Sequence, residues 1–209
     1  MKTKIGKKVL PAILSLLLLI GLVPTVVFAA DFDGDFTTVD SEIFDWYSSG
    51  LPTEDLLYQA GDGTVAWDAT NKTMTFDNAS ITYDSLSSNG GVALPKSGGE
   101  KVTVVLKGTN VFTDEGGYSS AAFFDAYGNN LIFSGTGTLT TTGSDRFVTV
   151  GEGGSVTFDH TGTITTTVKH AGLYQQGDFV SVERIEESNN RLTSGLRCSK
   201  LFRVFGSTG

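Results

Sequence analysis

Apolar and polar residues alternate with period two along most of this chain, in short runs separated by glycine-rich turns. In "LIFSGTGTLTTT", residues 131–142, Leu131 and Phe133 share one face and Gly135 and Gly137 interrupt the run. Leu139 then resumes the apolar face, while Thr138, Thr140 and Thr142 point the other way. Such alternation predicts threonine-rich strands with one buried face. The same writing returns as "VTFDHTGTITTT", residues 156–167, with seven of twelve positions identical. No segment keeps a helical period long enough for a crossover helix, which disfavours a doubly wound α/β arrangement.

The repeat interval of 25 residues selects among all-β architectures. Sandwich strands have no reason to repeat in sequence, whereas a unit of this length holds three short strands and three turns, one coil of a parallel solenoid. Coils stacked about 4.8 Å apart put like residues over like, so near-identity follows. Looser copies come earlier. In "KVTVVLKGTNVFT" (101–113), Val102, Val104, Leu106 and Val111 match Leu131, Phe133 and Leu139 with one residue inserted. In "GTVAWDATNKTMTFDNASITY" (63–83), Val65, Trp67, Met74, Phe76, Ala79 and Ile81 mark the inward positions. The expected architecture is a parallel β-helix of about five rungs: 63–85, 91–114, 117–142, 144–167 and 169–182.

The stretches "GDGTVAWDATNKTMTFDNASIT", "VTVVLKGTNVFT" and "GTGTLTTTG" resemble the glycine/threonine-rich repeats of secreted β-helix proteins of Gram-positive bacteria, a carbohydrate-binding-domain-containing group. The resemblance covers roughly residues 60–182. It implies a right-handed parallel β-helix, the hand also expected for parallel crossovers, and it brings no catalytic residue with it.

The two ends break the pattern. Lys2, Lys4, Lys7 and Lys8 precede the apolar run "VLPAILSLLLLIGLV", and Val27 and Ala29 sit at cleavage positions, so residues 1–29 read as a secretory signal peptide. Residues 30–60 read as an acidic linker and N-terminal cap, with Phe44, Trp46, Leu56 and Leu57 covering the first rung and "TEDLLYQ" capable of a helix. Asp31, Asp33 and Asp35 around Gly34 lack the rest of a calcium loop and read as part of that linker. Residues 61–183 hold the rungs. Beyond them, residues 184–209 carry four of the five arginines and the single Cys198, and periodicity stops. This stretch reads as an irregular basic tail, from a truncated or shifted frame. A genuine C-terminal cap built on "LFRVF" is the alternative.

Charge then narrows the partners. The chain has 15 basic and 23 acidic residues, and removing the signal takes four lysines and no acid, leaving −12. So acidic a protein is a poor partner for nucleic acid or an anionic membrane, and no membrane span is expected after signal removal. Neutral or cation-bridged glycans remain compatible: a polysaccharide or cell-wall glycan. One cysteine excludes an internal disulfide, so the exported domain stands on its core.

Catalytic chemistry finds little support. A polysaccharide lyase or hydrolase needs acids converging on one face, and a 25-residue register stacks Asp159 on Ser134, Asp125 on Val150 and Glu152 on Tyr127, with no acidic ladder. His160 and His170 read as surface histidines in different rungs, and no metal or other cofactor is implied. The pairs Thr138/Thr163, Thr140/Thr165 and Thr142/Thr167 form an array such as some ice-binding solenoids present. The preceding rung is expected to put Asn110, Phe112 and Asp114 there, leaving the array two rungs deep, which β-propensity explains. Aromatics not fixed by the inward pattern are the remaining candidates, because sugars stack on exposed rings: Trp46, Tyr47, Tyr118, Tyr127 and Tyr174. The reading is a secreted, non-catalytic surface module that binds carbohydrate, with a structural adhesin stalk as the alternative.

Overall fold

A computed structural model describes residues 32–116 and 121–176, with side chains through Tyr174, and beyond these the backbone of five short strands ending at Phe205. The signal segment, Tyr118 and most of the tail lie outside the described residues. Strand follows strand around three sheets of largely parallel pairing, making an all-β solenoid of about three turns with no helix among the described residues.

The regular turns are Lys101–Lys107, Thr109–Asp114 and Ala122–Asp125; then Asn130–Gly135, Thr138–Thr142 and Arg146–Val150; then Ser155–His160, Thr163–Thr167 and Ala171–Gln176. Each strand lies parallel to the equivalent strand of the turn before it. Thr73–Asp77, Ser80–Tyr83 and Val92–Ala93 stack above the first of these turns in the same way. Phe133 pairs with Phe158 and Leu139 with Ile164, as the repeat predicts. Val102, Val104, Leu131, Phe133, Leu139 and Phe147 are sealed in the interior.

Register departs from a uniform 25 residues. Between the first two regular turns the offset is 29 on two sheets, Asn130 on Lys101 and Thr138 on Thr109, but 24 on the third, Arg146 on Ala122. The longer excursion between Asp114 and Ala122 absorbs the difference. Two expectations change. Asn110 and Phe112, not Val111, take the inward places above Leu139 and Thr141. Thr109, Val111 and Thr113 therefore stand on Thr138, Thr140 and Thr142, which stand on Thr163, Thr165 and Thr167. Ser80 and Thr82 lie above Val111 and Thr113. With Thr38 over Thr82, the array runs five strands deep, not two.

The N-terminal segment also differs. Gly63–Asp68 does not open a rung; it is the middle strand of an antiparallel meander between Leu56–Ala60 and Thr73–Asp77. The two-residue loop Gly61–Asp62, with Gly61 at φ +65°, closes the first hairpin. That pairing makes a strand of "LLYQ", the second half of the helix-capable "TEDLLYQ", a case of tertiary context overriding propensity. The preceding stretch, expected as an acidic linker and cap, is largely exposed over residues 32–40 but is paired. Gly34–Asp35, Thr38–Val39 and Phe44–Asp45 pair in parallel with Tyr58–Gln59, Thr82–Tyr83 and Val92–Ala93, one on each sheet. Asp33 and Asp35 are spent locally, accepting from the Leu57 N–H and from Thr37.

Buried polar side chains tie the turns together. Asn110 Oδ1 accepts the Ala79 N–H of the turn above, and its Nδ2 donates to the carbonyls of Lys107 and, in the turn below, Thr138. Asn129 does the same for Glu100, Pro95 and Ala126. Thr141 and Thr166 satisfy each other across the interior at 2.7 Å. Parallel pairing continues past residue 183, where the loss of periodicity predicts that it stops: Leu196–Cys198 lies along Ile164–Thr166, and Arg203–Phe205 along Tyr174–Gln176.

Candidate functional site

The third sheet carries the aromatic candidates. Its strands align Asp45, Ala93, Asp125, Thr149 and Tyr174 in one row, and the chain turns a corner two residues beyond each aspartate. At those corners stand Tyr47 and Tyr127. In both the local device is the same: Asp45-Trp46-Tyr47 and Asp125-Ala126-Tyr127 each fold so that the aspartate Oδ1 accepts the tyrosine N–H at 3.2 Å. This Asx turn is what aspartate offers at a strand end. In the second it holds Tyr127 at φ +46°.

The two half-buried tyrosine rings meet across the intervening turn, with centroids 4.8 Å apart and planes tilted by 49°. Lys96 comes from that turn. Its N–H donates to the Tyr47 carbonyl, and its ammonium lies 5.1 Å from the Tyr47 ring centroid, within cation–π range.

Charge gathers beneath the pair. Burial pushes the Asp125 carboxyl up to about 7, and the Tyr127 N–H and the Arg146 guanidinium only partly offset it. Burial also raises the Tyr127 phenol above its ordinary value, with Asp125, Tyr47 and Asp45 adding to the shift. Arg146 lies 3.9 Å over the Tyr174 ring and 3.6 Å from Asp145 Oδ2. The other Asp145 oxygen meets His170 Nδ1. Two groups therefore lie along this sheet, Lys96 with Tyr47, Tyr127 and Asp125, and Arg146 with Tyr174, Asp145 and His170, with the Arg146 charge felt at Asp125. Thr149, in register with Asp125, has a buried hydroxyl with no hydrogen-bond partner among the described residues.

The expected residues divide as follows. Tyr47 and Tyr127 come together, and Tyr174 lies on the same sheet against Arg146. Trp46 does not belong with them: it is 5 % exposed and packs on Phe44 and Trp67 at 4.6 Å each. Tyr118 lies outside the described residues. Lys96, Asp125, Arg146 and Thr149 were missed, although the repeated Asp-x-Tyr signature was there to be read. With the 24-residue offset, Asp125 faces Thr149 instead of Val150, and Tyr127 bonds Gly151 instead of meeting Glu152. Asp45 and Asp125 both raise the Tyr127 phenol, a convergence set by the pairing of each aspartate with Ala93.

The histidines separate as well. His170 is exposed, with 68 % of its side chain accessible. His160, expected at the surface, is buried, with Nδ1 3.1 Å from the Ser134 carbonyl. Ser144 adjoins the Asp145–His170 pair in sequence, but its hydroxyl is held by the Ala121 and Arg146 carbonyls. Among the described residues no group of three His, Cys, Asp or Glu side chains is placed to hold a metal.

Comparison of the chain with protein-family models, with curated proteins and with solved structures gives no match.

Proposed function

We propose that this chain is a secreted, non-catalytic carbohydrate-binding module whose ligand lies against the Tyr47–Tyr127 pair. The observation that carries this reading is the meeting of the two rings, each held by the same Asp-x-Tyr turn. A pyranose ring has an apolar face that stacks on an aromatic ring and a rim of hydroxyls that seeks carboxylates and cations. Asp45 and Lys96 stand beside the rings to supply the second requirement. In this reading the chain is a right-handed helix of about five rungs, its first rung covered by an N-terminal cap centred on buried Phe44 and Trp46.

A glycan array with the purified chain, followed by calorimetry on the best ligand, tests the assignment. Tyr127→Ala and Tyr47→Ala should each weaken binding about tenfold, the loss of one stacked ring, while Lys72→Ala on another sheet should not. A chain that binds no glycan, or binds equally well without either ring, overturns the assignment and leaves the adhesin stalk.

A further inference from the structure

The outward side of the second sheet is different chemistry. Its twelve described outward positions, from Thr38 to Thr167, are ten threonines, Ser80 and Val111. None is charged, in a chain of net charge −8. Val111, 37 % exposed, replaces a threonine hydroxyl with a methyl of the same shape. Among the described residues none of these outward hydroxyls donates to or accepts from another protein group, whereas inward Thr141 and Thr166 bond each other.

Strand geometry fixes the spacing of this surface. Neighbouring strands lie about 4.8 Å apart, and alternate residues along one strand about 6.6 Å. Because Thr109–Thr113, Thr138–Thr142 and Thr163–Thr167 pair without a slip, the hydroxyls form a near-rectangular grid. Buried Phe112, Leu139 and Ile164 hold the grid from behind.

We propose that this threonine face binds ordered water as a lattice, and so binds ice. Each hydroxyl can both donate and accept, each adjacent methyl limits the orientations of the water above it, and the repeat places first-layer waters at regular intervals. An exposed charge would impose its own hydration shell; the twelve positions from Thr38 to Thr167 carry none, which matches a neutral lattice. It also carries no aromatic ring, the feature a sugar would use. The column through Thr140 and Thr165 continues in register to Arg197, which bounds the grid.

The experiment measures ice shaping, thermal hysteresis and inhibition of ice recrystallisation by the purified chain. The wild type should facet ice crystals and arrest recrystallisation. Thr140→Lys, at the exposed centre of the grid, should lose both activities while keeping the wild-type circular dichroism spectrum. Thr165→Tyr serves as a second lesion if the first fails to fold. Lys101→Ala, on the first sheet, should keep them. Wild-type protein that leaves ice growth unchanged, or a folded Thr140→Lys that matches wild type, overturns the proposal. So does retention on powdered crystalline cellulose or chitin that is abolished by Thr140→Lys while ice growth is unaffected, since the face would then recognise a flat glycan.

Discussion

Phe133 and Phe158, 25 residues apart, lie ring on ring, with centroids 5.2 Å apart and planes within 9°. Their burial is unequal: Phe133 is sealed and also touches Phe124 and Phe147, whereas Phe158 is half-buried. Phe133→Ala should cost about 3–5 kcal/mol, as core aromatic truncations do. Phe158→Ala should cost clearly less, because part of its surface stays in water. Urea unfolding of both single variants and the double variant measures this, with an expected ring–ring coupling of about 0.5–1.5 kcal/mol.

Asn110 makes three hydrogen bonds to backbone in three consecutive turns, at 0 % exposure. Asn110→Leu fits the apolar pattern of the interior but orphans the Ala79 N–H and takes a donor from the Thr138 carbonyl and from the Lys107 carbonyl, which keeps the Asn78 N–H. The expected loss is about 1–3 kcal/mol for each group left without a partner. Chemical denaturation should rank Asn110→Leu below wild type even though it adds apolar surface. A variant as stable as wild type would show that water or a backbone shift replaces the amide.

Asp125 ties stability to pH in the sense opposite to a salt-bridged carboxylate. Its carboxyl is raised from 3.8 to about 7 by burial, so the folded chain holds a proton that the unfolded chain has released. Its contribution to stability is complete below the unfolded value and is lost as pH rises to about 7. Denaturation midpoints taken from pH 4 to 8 should show this downward component in wild type. The profile of Asp125→Asn should lack it.

Gly143 sits at φ +101°, and a Cβ added there would lie 1.9 Å from the Asp114 carbonyl oxygen. Neither the backbone nor the neighbouring turn can accept a side chain. Gly143→Ala should lower stability by about 1–3 kcal/mol or more. Thermal melting compared with Gly99→Ala, which meets no atom within 4 Å although it shares the positive φ, separates the close approach from the backbone strain.

The sequence by itself determined the all-β character, the inward faces of 131–142 and 156–167 and the stacking of those two segments. A period of two assigns each residue to a face, and near-identical segments such as 131–142 and 156–167 stack only like on like. Tertiary structure decided the register elsewhere. Alternation inside a strand is silent about which residue of one turn lies over which of the next, because the turns between strands can gain or lose any number of residues, and a change of one moves the following strand's register by one. The loop between Asp114 and Ala122 sets that choice, moving the offset from 29 to 24, aligning Asp125 with Thr149 and putting Thr109 over Thr138. Likewise only chain pairing could make Gly63–Asp68 run antiparallel, since strand direction leaves no mark on side-chain alternation. The meeting of Tyr47 with Tyr127 is a product of the same step: two corners 80 residues apart are brought together by the pitch of the coil.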